Sequence, residues 1–135
     1  MTIQSPDTLI YQRKHFTLWS WPLESYFDKG NPRPDPGGLT NLNRGYRATW
    51  EIDQDTLYLT DIREAWVEGA RVGLAELFPG HGGRVEASWF TGELRTSIRE
   101  GALDFNRSRY LILKIRDGKV VQSRVFEERR ELQEP

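Results

Sequence analysis

The chain has 135 residues, 37% of them hydrophobic and 29% charged, with a formal net charge of −1 and no cysteine. A chain of this length can bury a real core without staples, so residues 1–135 are read as one domain. The missing thiols exclude disulfides, thiolate metal sites and cysteine nucleophiles, no run of apolar residues is long enough for a membrane span, and so even a charge balance argues against nucleic-acid binding that rests on neutralising several phosphates.

From the N-terminus, Thr8 to Gln12 and His15 to Trp19 read as short strands, because aromatic and β-branched residues are dense there. Trp21-Pro22 interrupts that pattern. Residues 28–45, DKGNPRPDPGGLTNLNRG, form a Pro/Gly-rich loop. Pro32, Pro34 and Pro36 remove backbone donors, and the surrounding glycines relax the backbone, so neither ladder nor helix is expected. Tyr46 to Asp53 then alternates cleanly. Tyr46, Ala48, Trp50 and Ile52 point one way, and Arg47, Thr49, Glu51 and Asp53 the other, which describes a half-buried strand. The cluster Asp53-Gln-Asp-Thr56 is a turn, and Leu57 to Ile62 completes a hairpin.

Asp61 to Phe78 mixes signals. Asp61 followed by Glu64 resembles a capping box, but Gly69 and Gly73 weaken one continuous helix. The reading is a strand ending near Ile62 or Arg63, an irregular link, and a short helix over roughly Val72 to Phe78, stopped by Pro79-Gly80. Arg84 to Thr91 alternates again, with Val85, Ala87 and Trp89 on one face. Gly92 suggests a bulge or tight bend, Glu93 to Ile98 continues as a strand, Arg99-Glu-Gly101 is a hairpin loop, and Ala102 to Phe105 returns. Tyr110 to Arg116 and Lys119 to Phe126 form a hairpin across Asp117-Gly118, a two-residue turn of type I′ composition. Leu111, Leu113 and Ile115 give one face, with Val121 and Val125 as the partner face. Residues 127–135 are a charged tail. The fold class is mainly β: an antiparallel curved sheet, sandwich or barrel-like, with one short α-helix.

Ala-(Thr/Ser)-Trp occurs twice, at Ala48-Thr-Trp50 and Ala87-Ser-Trp89. An alanine two residues before a tryptophan lies on the same strand face and leaves room for the larger ring. Both rings are therefore assigned to a shared core.

Chemistry is less legible. His81 stands in PGHGGR, where glycine amides at a bend can form an anion-binding concavity, but no Walker lysine follows. No metal site is expected: two histidines 66 residues apart give no ligand spacing, and Asp53, Asp55 and Asp61 lack the EF-hand order. Glu51 and Glu86 are candidates for paired-carboxylate hydrolysis; a cross-strand charge ladder with Arg47 and Arg95 is the plainer account. No G-x-S-x-G elbow occurs. The basic residues are lopsided, 15 Arg against 4 Lys, and Arg pairs with carboxylates and stacks on aromatic rings. Trp19, Trp21 and Trp66 fit the core less comfortably than Trp50 and Trp89. Exposed Trp beside Arg is the composition of protein–protein hot spots. The candidate binding residues are therefore Trp19, Trp21, Trp66, Arg44, Arg47 and His81, with no catalytic residue and no cofactor assigned.

Within residues 45–101, GYRATWEI, DTLYLTDI, LAELFPG and VEASWFTGELR resemble a group of small uncharacterised bacterial β-rich proteins loosely associated with toxin-immunity neighbourhoods. The resemblance brings no catalytic residue. It implies a small protein-binding module, an immunity-type inhibitor of a bacterial toxin, whose partner is another protein. The alternatives are a small-molecule or carbohydrate binding domain, and a hydrolase using paired carboxylates. No basic start with an apolar block marks a secretory leader, so a cytoplasmic location is expected.

Overall fold

A computed structural model describes residues 5–35, 44–98 and 107–129. The expected loop Arg99–Gly101 and strand Ala102–Phe105 lie outside these residues, as do residues 36–43 of the Pro/Gly-rich loop and residues 130–135 of the tail. In chain order the elements are β1 (Asp7–Tyr11), β2 (Lys14–Leu18), α1 (Pro22–Asp28), β3 (Arg47–Asp53), β4 (Thr56–Arg63), β5 (Ala65–Val67), β6 (Ala70–Val72), α2 (Leu74–Leu77), β7 (Val85–Glu86), β8 (Gly92–Ile98), β9 (Arg107–Arg116) and β10 (Lys119–Arg129).

The protein is mainly β, and seven of its strands close into a barrel. Their order is β10-β9-β8-β2-β1-β3-β4, and β10 returns to β4 where Lys119 sits opposite Thr56. β7 adds to β4 outside this closure, and β5 pairs with β6 as a separate two-stranded sheet. The β1–β3 pairing is parallel, and the other pairings are antiparallel.

Tight turns make this possible. Asp117-Gly118 has φ of 48° and 80°, as its composition predicts, and Gln54-Asp55 (48° and 61°) and Gln12-Arg13 (52° and 65°) turn the same way without glycine. Paired positive φ values match the right-handed twist of the flanking strands. Gly118 also closes the barrel. Leu57 N donates to Gly118 O at 2.8 Å, Gly118 N donates to Phe90 O at 2.9 Å, and a Cβ at Gly118 would lie 2.7 Å from Ala87 O.

The barrel interior is filled from every side by alternate residues, among them Leu9, Leu18, Trp50, Leu59, Leu94 and Leu113, all fully buried. Ala48 and Trp50 share the inner face of β3 as expected, and the Trp50 ring meets Trp89 edge-on at 6.3 Å. Trp89 reaches this position from a turn instead of a strand. The strand ends at Glu86, because Ala87 and Phe90 are drawn into bonds with Leu57 and Gly118. Trp89 then stacks on Phe78 at 5.9 Å, touches Tyr26 at 5.0 Å and donates its Nε1–H to Pro22 O at 3.0 Å.

Other local expectations shift. The Trp21-Pro22 interruption is the start of α1. Proline at the first helical turn loses no hydrogen bond, and Leu23 and Phe27, one helical turn apart, are both buried. The link after β4 is the β5–β6 hairpin, turning at Glu68-Gly69 (φ 50° and 80°), and the second helix is only Leu74–Leu77. Val121 and Val125 are 51% and 54% exposed. A bulge between Val120 and Gln122 breaks the register, so Val120 packs on the core in place of Val121. Val125 faces Leu111 across the pair, but among the described residues no strand covers the other edge of β10 there. The charged tail starts as strand, since β10 runs to Arg129.

Candidate functional site

The deepest polar cluster starts from Asp7, an inward position of β1 alongside Leu9. A carboxylate facing a barrel interior must be paired and hydrogen-bonded, or its burial costs on the order of several kcal/mol. Asp7 meets that demand. Its Oδ1 accepts from Arg44 Nη2 at 2.9 Å and from Ala48 N at 3.1 Å, and its Oδ2 accepts from Trp50 Nε1 at 3.1 Å. The parallel β1–β3 pairing supplies two of these donors, because it sets the start of β1 beside Ala48 and Trp50. Burial still dominates the carboxyl and raises its pKa above the ordinary value, while Arg44 and the three donors offset part of that cost.

Arg44 completes the cluster from three residues before β3. Its side chain is 7% exposed, and its guanidinium lies over two rings, Tyr46 at 5.1 Å and Trp21 at 5.3 Å. Stacking of this kind fixes the guanidinium plane. Tyr46 donates its hydroxyl to Glu24 Oε2 at 2.8 Å, and Arg33 pairs with Glu24 while donating to Arg44 O at 3.3 Å. Burial first, then the Glu24 and Asp7 charges, push the Tyr46 phenol far above its usual pKa, so it remains a donor. Among the described residues, three buried donors in this cluster have no acceptor: Arg44 Nε, Arg44 Nη1 and Trp21 Nε1.

A second cluster lies on the outside. The β5–β6 hairpin presents Trp66, 46% exposed, with the Arg71 guanidinium 5.8 Å from its ring. Beside the hairpin runs an open groove of about 440 Å³, lined by Ile62, Arg63, Glu64, Arg71, Val72, Gly73 and Glu76. Arg47 reaches its edge through an ion pair with Glu64 at 3.0 Å. A short strap, residues 31–35, joins the two clusters: Arg33 touches Arg44, and Asp35 N donates to Trp66 O at 2.7 Å.

Of the candidate residues, the structure thus brings Trp21 and Arg44 together in one cluster, and Trp66 and Arg47 around the groove. Trp19 is 38% exposed and donates its Nε1–H to Ser97 Oγ at 2.7 Å, on the β2–β8 side of the barrel. His81 is exposed, with its ring edge-on to Phe78 at 6.2 Å. Neither joins the two clusters. Glu51 and Glu86 sit on opposite sides of Tyr58 across β4, and Glu86 pairs with Lys119 at 2.8 Å, not with Arg95. Two strand spacings, with Tyr58 between them, separate their backbones by roughly 10 Å. Among the described residues, no three His, Asp or Glu side chains gather as a metal site.

Asp7 was not singled out from the sequence. Its only signal is an acidic residue in phase with Leu9, and an acidic residue at a strand's start reads as solvent-facing. No family model, curated protein or solved structure matches the chain, so both clusters are read from their own chemistry.

Proposed function

We propose that this protein is a protein-binding module whose contact surface is centred on Trp66. The observation that carries the reading is an indole left nearly half exposed on a hairpin outside the barrel, with arginine stacked on it beside an open groove. Trp and Arg supply much of the binding energy at interfaces when a partner dries them. The surrounding Arg47, Arg63, Glu64 and Glu76 form a mixed-charge rim, which favours specificity over affinity. The resemblance in residues 45–101 supplies the specific form, an immunity-type inhibitor whose partner is a bacterial toxin.

The test compares tagged wild type with Trp66→Ala in capture from the native host. Trp66→Ala is expected to change stability by no more than about 0.5 kcal/mol, as for exposed sites. It should weaken retention of the captured partner about tenfold or more, the loss of a hot-spot residue. Equal capture by both proteins, or no partner for either, sinks the reading.

A further inference from the structure

The Arg44 cluster contains more donors than the fold uses. A guanidinium carries five N–H donors and accepts nothing. Here Nη2 is the guanidinium nitrogen that donates to Asp7 Oδ1, while among the described residues Nε and Nη1 are buried with no acceptor, as is the neighbouring Trp21 indole N–H. Leaving buried donors unpaired costs about 1–3 kcal/mol each, and native proteins pair the great majority of such groups. Asp7 already accepts from three donors, two at Oδ1 and one at Oδ2. Glu24 is committed to Tyr46 and Arg33. All three orphans are donors, two belong to a cation, and the stacked rings hold that cation in place.

The complement of such a set is an oxyanion. The charge of the cluster narrows the class. Arg44 and Arg33 face Asp7 and Glu24, so a doubly charged group would meet two carboxylates already in place. A singly charged, planar group brings acceptor oxygens with the least repulsion. We propose that Arg44 and Trp21 form a binding site for a small-molecule carboxylate, held by the guanidinium N–H groups that Asp7 does not use and by the indole N–H. This site is separate from the Trp66 surface, and either stands without the other.

The experiment follows side-chain N–H resonances of the ¹⁵N-labelled protein during titration with sodium acetate, with sodium phosphate, and with sodium chloride at matched ionic strength. Trp21→Phe assigns the indole and keeps an aromatic ring under the guanidinium while removing the N–H donor. Acetate should move the Trp21 indole and Arg44 Nε–H signals saturably, with a Kd of about 1 mM or tighter. Trp21→Phe should weaken acetate binding about tenfold, read at Arg44 Nε–H, as expected for one hydrogen bond to a charged group. Stronger binding of phosphate than of acetate overturns the carboxylate assignment. Shifts no larger than those in chloride, or unchanged acetate affinity in Trp21→Phe, overturn the site.

Discussion

Arg44–Asp7 and Arg84–Asp53 are the same chemistry in two solvents. Each pair has a guanidinium nitrogen 2.9 Å from a carboxylate oxygen. Each guanidinium also lies over a tyrosine, Tyr46 at 5.1 Å and Tyr58 at 3.8 Å. The side chains of the first pair are 7% and 0% exposed, and those of the second 49% and 46%. In the interior, neither charge can fall back on water, so each depends on the other and on Ala48, Trp50 and the two rings. On the surface, water replaces whatever is lost. The geometry is alike, but the consequence of breaking it is not.

Substitutions can test that contrast, beginning with the largest effect. Arg44→Ala leaves Asp7 buried without its cation and should cost about 3–5 kcal/mol, read from the denaturant midpoint at constant slope. A cost below about 1 kcal/mol would place the pair with the surface ones. Gly118→Ala should come next, at about 1–3 kcal/mol, because φ is +80° and the new methyl would strike the Ala87 carbonyl. It isolates barrel closure from the polar cluster, and wild-type stability in this variant would mean that the seam is loose.

Smaller still is the pH dependence carried by Asp7. Its pKa is raised in the folded protein, chiefly by burial. The folded state therefore holds its proton more tightly than the unfolded chain does. The stability this contributes is fully present below the unfolded carboxyl pKa of about 3.9 and is lost as pH rises through the folded value. Asp7→Asn removes that dependence, so the stability gap between wild type and Asp7→Asn should narrow as pH rises, by at most about 1.4 kcal/mol per pH unit. A gap that widens instead would show that Arg44 outweighs burial. The smallest effect belongs to the surface pair. In a double-mutant cycle of Arg84→Ala and Asp53→Asn, the coupling should be the weakest of the set and should shrink further in high salt.

Several strands could be read directly from alternating residues or a turn signal, even where a bulge shifts the register. β3, β4 and the β9–β10 hairpin follow from Tyr46–Asp53, Leu57–Ile62 and Asp117-Gly118, and the mainly β class follows with them. The Trp50–Trp89 contact was also legible, though not the turn that delivers Trp89, because Gly118, distant in sequence, imposes it through Ala87 and Phe90. α1 was hidden by Pro22, which breaks a strand and begins a helix with equal ease. The β5–β6 hairpin was hidden by Glu68, which adopts positive φ without being glycine. Trp21 and Arg44 could be nominated by type, but their meeting with Asp7 could not. That meeting depends on a parallel pairing between segments some forty residues apart, and no local pattern encodes it.

The place of the β1–β2 hairpin within the wall also bears on the order of assembly. The β1–β2 hairpin is flanked by β3 on one side and β8 on the other. As the nascent chain leaves the ribosome, this hairpin emerges before either neighbour exists. Its place in the wall is filled only after residues as distant as Ser97 have been synthesised. Loop closures of that span slow folding, so translation must pass most of the barrel before its earliest hairpin can be locked in.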